Sequence, residues 1–157
     1  MTETETLLAQ GLSLIEGKFT AQTAPEPNRI DVIVEPARLP ECAGALAAAP
    51  WGYLSAITGL DHGVESGKLE ALYHFCNRAA VITLRVPLPR ENPVVPSVCG
   101  PIPSATLFER ELMEMFGVVC EGTPDTRRLF LPDDWPDGKY PLRKDFLVPA
   151  PAPEPEA

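Results

Sequence analysis

The sequence predicts an α+β fold: a two-layer domain in the order α-β-β-α-β-β-β with a mixed sheet, followed by one helix and an extended C-terminal arm. Three observations carry that expectation. Residues 69–86 hold two alternating apolar runs joined by a short turn, and two stretches with helical apolar spacing interrupt the strand-like segments before them. From Gly117 onward the chain is broken by prolines yet stays rich in rings and arginines, which no compact element accommodates.

Thr2 followed by Glu5 has capping-box spacing, and Leu7, Leu8, Leu12 and Ile15 form the stripe of a first helix ending at Gly17. Phe19 to Ala24 reads as a strand, and Pro25 and Pro27 make Ala24 to Asn28 a turn. Ile30, Val32 and Val34 alternate with Asp31 and Ile33, so residues 29–34 form a half-buried strand. Leu39, Cys42 and Leu46 then recur at helical spacing, giving a second helix that starts near Pro40 and stops at Pro50. Tyr53 to Thr58 is a strand, and Gly59 to Gly67, with Asp61, a loop. Leu69, Ala71, Tyr73 and Phe75 alternate with Glu70, Leu72 and His74, and Ala80, Ile82, Leu84 and Val86 follow after an Asn77-Arg78 turn, which makes a hairpin. Prolines make residues 87–103 a loop and close the α+β domain at residue 103, with helix and arm over 104–147. The tail from Val148 to Ala157 is proline, alanine and glutamate and is expected to be disordered.

Phe108, Leu112, Met115 and Phe116 share one helical stripe, with Ser104 or Thr106 as cap, a Thr106–Glu109 capping box and Gly117 at the stop, so the third helix spans about 105–116. Arg110 and Glu114 point away from the stripe, while Glu111 sits at its flank, where it either snorkels from the helix edge or, half-buried, takes backbone donors or a cation from Arg127, Arg128 or another subunit. After the short extended piece Val118-Val119-Cys120, Pro124, Pro132, Pro136 and Pro141 exclude a long helix or a central strand. Yet Leu129, Phe130, Leu131, Trp135, Tyr140, Leu142 and Phe146 each gain roughly 1.5–3 kcal/mol on burial. They require a surface to cover. Trp135, Tyr140, Arg127 and Arg143 are the residue types that dominate interface energetics, which favours a neighbouring chain as that surface.

A chain of 157 residues, 45% of them hydrophobic, supports one domain plus an arm. The net charge of −9 argues against a nucleic-acid partner, which calls for a clustered basic face. No secretory signal opens the sequence, and the uncharged run Cys42 to Leu60 is too interrupted by Gly and Pro to span a membrane, so a location in the cytoplasm is expected. Cys42, Cys76, Cys99 and Cys120 are widely spaced and read as buried free thiols; neither they nor His62 and His74 form a metal motif. No phosphate loop or nucleophile elbow is present, so catalysis by this chain alone is not expected. Two rival readings remain: a free-standing enzyme using Glu109, Glu111 or Asp61 as acid–base groups, and a soluble adaptor that grips an unrelated partner.

Glu109-Arg110-Glu111, Met115-Phe116-Gly117-Val118, Gly122, Asp125, Arg127-Arg128, Pro132-Asp133-Asp134-Trp135 and Pro141-Leu142-Arg143-Lys144-Asp145 together resemble the signature of the 30 kDa subunit family of respiratory complex I, the NADH-quinone oxidoreductase. The resemblance is specific over residues 109–146 and looser over Tyr53 to Val86. It implies a cofactor-free subunit at the cytoplasmic face of a membrane-bound, ion-pumping redox complex. Its arm would wrap along the large (49 kDa-type) subunit, near the iron-sulfur subunits, with the clusters and the quinone or nickel-iron centre held by those partners. The resemblance further implies that Glu109, Arg110 and Glu111 fix the helix against arm and partner, and that Trp135, Tyr140 and Asp145 belong to the same interface. Arg127, Arg128, Arg143 and Lys144 would supply charge-assisted hydrogen bonds there. The Pro136-Asp137-Gly138-Lys139-Tyr140 linker and Glu114 look more like the related subunits of membrane-bound energy-converting hydrogenases.

Overall fold

The computed structural model describes residues 1–49 and 51–148, so Pro50, expected to stop the second helix, and the tail from Pro149 to Ala157 lie outside the described residues. Helix α1 spans Glu3–Leu14 and opens on the expected capping box, with Glu5 N–H donating to Thr2 Oγ1 and Thr2 N–H to Glu5 Oε2. Strands β1 (Ala21–Glu26) and β2 (Arg29–Ile33) follow, then a 3-10 turn over Pro36–Arg38 leads into α2 (Leu39–Ala48). Next come β3 (Tyr53–Asp61), β4 (Lys68–Asn77), β5 (Ala80–Pro89), β6 (Val94–Pro96), α3 (Ala105–Phe116) and β7 (Val119–Glu121).

The main sheet has the order β1-β2-β5-β4-β3, with β2 parallel to β5 and the other pairs antiparallel, so it is mixed as expected. The register puts Ile82 opposite Phe75, Leu84 opposite Tyr73 and Val86 opposite Ala71, one continuous apolar face. All three helices pack there. A Cβ on Gly11 of α1 would collide with the Ile82 side chain, and one on Gly59 of β3 would collide with the Phe116 ring, so both glycines let a helix approach the sheet.

The opposite face carries no helix and is closed by its own charges. Arg29 grips Asp31 through two bonds of 2.6 and 3.0 Å, and Arg85 reaches both Asp31, at 3.6 Å, and Glu70. His62 lies 3.5 Å from Glu70, and His74 bridges Thr58 and Thr83 at 2.9 and 3.1 Å. Burial and the nearby Arg29 charge lower the His74 pKa.

Several expected boundaries move for identifiable reasons. Strand β1 runs through Pro25 because it is an edge strand, where a missing N–H costs no ladder bond. Strand β3 continues to Asp61, through residues expected in a loop. The proline-rich segment hides β6, which pairs in parallel with β7, Val95 opposite Cys120. Core packing also crosses the boundary expected at residue 103: Ala105, Leu112, Phe116, Val118 and Cys120 belong to the same cluster as the sheet. The four cysteines are free, with Cys76 only half-buried.

Candidate functional site

Helix α3 organises everything C-terminal to it. Its buried row is Ala105, Glu109, Leu112 and Phe116, with Phe108 and Met115 only half-buried, so the stripe is centred on Glu109. The capping box expected from Thr106 and Glu109 does not form. Thr106 is already inside the helix and donates to Pro103 O, while the fully buried Glu109 carboxylate accepts from Val98 N–H at 2.7 Å, Ser97 Oγ at 2.8 Å and Cys99 Sγ at 3.2 Å. Three donors stabilise the charge where no cation is in reach among the described residues. Burial, then the Glu109 and Cys99 charges, push the Cys120 thiol well above its usual range.

The outward row of α3 holds the arm by its backbone. Arg110 donates to the carbonyls of Arg127 and Arg128 at 2.8 and 2.7 Å. One turn later, Glu114 accepts the N–H groups of Leu129, Phe130 and Leu131 at 3.1, 2.9 and 3.1 Å. Two side chains four residues apart thus clip five consecutive arm residues, satisfying acceptors with a cation and donors with an anion.

At the helix end, Gly117 adopts φ +70° and its bare Cα is covered by the Tyr140 ring, which leaves no room for a Cβ. Arg143 donates to Phe116 O at 2.8 Å and stacks 4.6 Å from the Tyr140 centroid, and Leu142 N–H reaches Met115 O at 3.2 Å. A second anchor lies at the start of the β3–β4 connection. Asp61 accepts Lys144 N–H at 2.7 Å and Gly63 N–H at 2.8 Å, and buried Arg90 bridges Asp61 to Asp145. Burial works to raise the Asp61 carboxyl, but the Lys144 and Gly63 N–H bonds and the Arg90 guanidinium outweigh it and hold the pKa below the ordinary value.

The remaining sequence candidates are placed as follows. Arg127 is 83% exposed and pairs with Asp125 at 2.7 Å, and Arg128 donates to the carbonyls of Pro132 and Trp135. Neither neutralises Glu111, contrary to one of the sequence expectations, because both are consumed by the turns around them. Among the described residues Glu111 has no ion pair. Trp135 stacks on Phe146 at 5.8 Å and donates to Lys139 O. Glu109 has no access to a substrate, which removes it as an acid–base group. Arg90 and Glu114 were not singled out as site residues. Glu114 was legible as the partner of Arg110 on the outer helix row, whereas nothing local marks Arg90.

The arm is pinned yet uncovered. No residue from 122 to 148 is buried, and Phe130 and Leu142 remain 63% and 54% exposed. Main-chain anchors fix its path, while its rings contribute little to any core of this chain. Among the described residues no helix is long and apolar enough to cross a membrane.

Comparison with known proteins places this arrangement. The family model described as "Respiratory-chain NADH dehydrogenase, 30 Kd subunit" matches residues 32–152. The chain is 46% identical over 87 residues to the membrane-bound hydrogenase subunit beta of Pyrococcus furiosus, covering 54% of this chain and 50% of that one. It is 42% identical over 99 residues to the C-type subunit of the NADH-quinone oxidoreductase of Chloroherpeton thalassium, covering 61% of this chain and 40% of that one. It therefore spans half or less of the length of these two relatives. Its fold matches a chain in the membrane-bound sulfane sulfur reductase, an archaeal respiratory membrane complex, with TM-score 0.75 and 22% identity, over 94% of this chain and 87% of that chain.

Proposed function

We infer the role of this chain from its kinship: it belongs to the respiratory-chain NADH dehydrogenase 30 Kd subunit family. We propose a non-catalytic peripheral subunit of a complex I-type NADH:quinone oxidoreductase or of a membrane-bound energy-converting hydrogenase. It scaffolds the large, 49 kDa-type subunit and its junction with the iron-sulfur subunits while electron transfer is coupled to ion translocation. The iron-sulfur clusters and the quinone or nickel-iron centre belong to those partners, and the chain sits at the cytoplasmic face of the membrane. The Pro136-to-Tyr140 linker favours the hydrogenase branch, where the Pyrococcus relative stands.

One observation carries this reading: the arm's main chain is fixed by Arg110, Glu114 and Asp61, and its Arg143 side chain by Phe116 O, while Phe130, Leu142 and Leu147 face solvent. A segment with that combination is pre-organised for a second chain, because the entropy of ordering it is already offset before docking. Trp135 and Tyr140 supply the rigid apolar area, and the exposed Arg127 and Lys144 side chains supply cations at its rim.

The test is co-purification. A chain ended after Gly122 keeps Val118 and Cys120 in the core, so it folds, and it is expected to lose its association with the large redox subunit. Retention of that subunit by the shortened chain overturns the proposal.

A further inference from the structure

The two edges of the main sheet are guarded differently. Strand β1 carries Pro25 and a register break between Thr23 and Glu26, devices that discourage another strand from pairing. Strand β3, at the other edge, has its register break near its start, between Leu54 and Ala56, and then runs in regular register from Ala56 to Asp61 with no proline anywhere in its nine residues. His62 N–H donates to Lys68 O, which fixes the alternation of the β3–β4 ladder: Thr58 and Leu60 bond inward, so the N–H and C=O groups of Ile57 and Gly59 point to the open edge. No backbone group among the described residues pairs with them.

This edge opens into a groove. Ile57 and Gly59, from the helix side of β3, and Thr58, from its other side, line it together with Phe108 and Glu111 of α3, and Leu142 of the arm closes one end. Residues from both faces of a strand line one cleft only where the strand has no neighbour. The cleft is largely apolar, and the Glu111 carboxylate is its one charge.

We propose that β3 and α3 form a second docking site, which takes an extended segment of another subunit as a sixth strand, one apolar side chain in the groove and one Lys or Arg on Glu111. The inference rests on the subunit reading above and adds the chemistry of a contact separate from the arm's exposed rings. Main-chain pairing supplies affinity and the groove supplies register. Charge complementarity selects the occupant. A second copy of this chain, net charge −9, would bring another Glu111 to the same place. The chain's own tail, Pro149 to Ala157, carries Glu154 and Glu156 and no Lys or Arg, so it lacks the cation and would bring like charge to Glu111.

Hydrogen–deuterium exchange tests the site on the full chain, alone and within its tag-purified native complex. Amides of the peptide covering Ile57 and Gly59 are expected to exchange at least roughly tenfold more slowly in the complex. Glu111→Gln, which keeps the side chain's shape, and Glu111→Lys are expected to release the chain about tenfold faster or more, with unchanged thermal melting of the free chain. A complex that holds the chain while Ile57 and Gly59 exchange as in the free protein overturns the strand addition. Wild-type release rates for both Glu111 variants overturn the cation. A chain that co-purifies with no other subunit overturns the subunit reading itself, and this site with it.

Discussion

Glu114→Ala removes the acceptor of three consecutive arm amides while leaving the buried row of α3 intact. Each N–H bond to a charged acceptor is worth about 1.5–3 kcal/mol when desolvated. Phe130 is exposed and Leu129 and Leu131 are half-buried, so water replaces much of what is lost, leaving about 1–3 kcal/mol for the clip. At ~1.4 kcal/mol per factor of ten, local opening of the arm becomes about 5- to 140-fold more frequent. Global stability, measured by urea unfolding, is expected to stay within about 0.5 kcal/mol of the parent, because the arm contributes no buried residue. Exchange of the 127–132 amides, followed by mass spectrometry, reads the local effect, and Glu114→Gln should fall between parent and alanine variant. Unchanged exchange would show that the clip is redundant. A global loss as large as the local one would show that arm and core unfold together, and the two-level picture would be wrong.

Glu109→Ala leaves Val98 N–H buried without a partner and opens a void, so urea unfolding should show a loss of about 3–5 kcal/mol, far beyond that of Glu114→Ala. Gly117→Ala faces both a left-handed backbone and the Tyr140 ring in the space its Cβ needs; roughly 1–3 kcal/mol of destabilisation is expected, with faster proteolysis of the arm after Arg143. Because the folded pKa of Asp61 lies below its unfolded value, its contribution is complete above about pH 4 and disappears as pH falls through the folded pKa. Near-UV circular dichroism should report the arm loosening in that acid range, and Asp61→Asn should abolish the pH-dependent step.

Local periodicity made much of this molecule legible. The α1 capping box, the β4–β5 hairpin and the extent of α3 follow from residues within a turn or two of one another. Strand β6 did not, because three residues among prolines acquire their identity only from β7, more than twenty residues away. Glu109 read as a helix-cap residue because its side chain fits that role locally; only the loop at Ser97 to Cys99, folding over the helix, makes it a buried acceptor. Likewise the arginines of the arm were recognisable as binders, but Arg128 and Arg143 bond carbonyls here, which sequence does not mark. Asp61 and Arg90 meet across 29 positions of chain, a pairing that no spacing rule encodes.

The ladder of Arg29, Asp31, Arg85, Glu70 and His62 across the helix-free side of the sheet has a bearing on how such a chain lives before assembly. Since that wall balances its own ions, its charges need no counter-charge from a neighbour. On the subunit role proposed above, docking is expected from the helix side, with this ionic wall the surface least suited to burial.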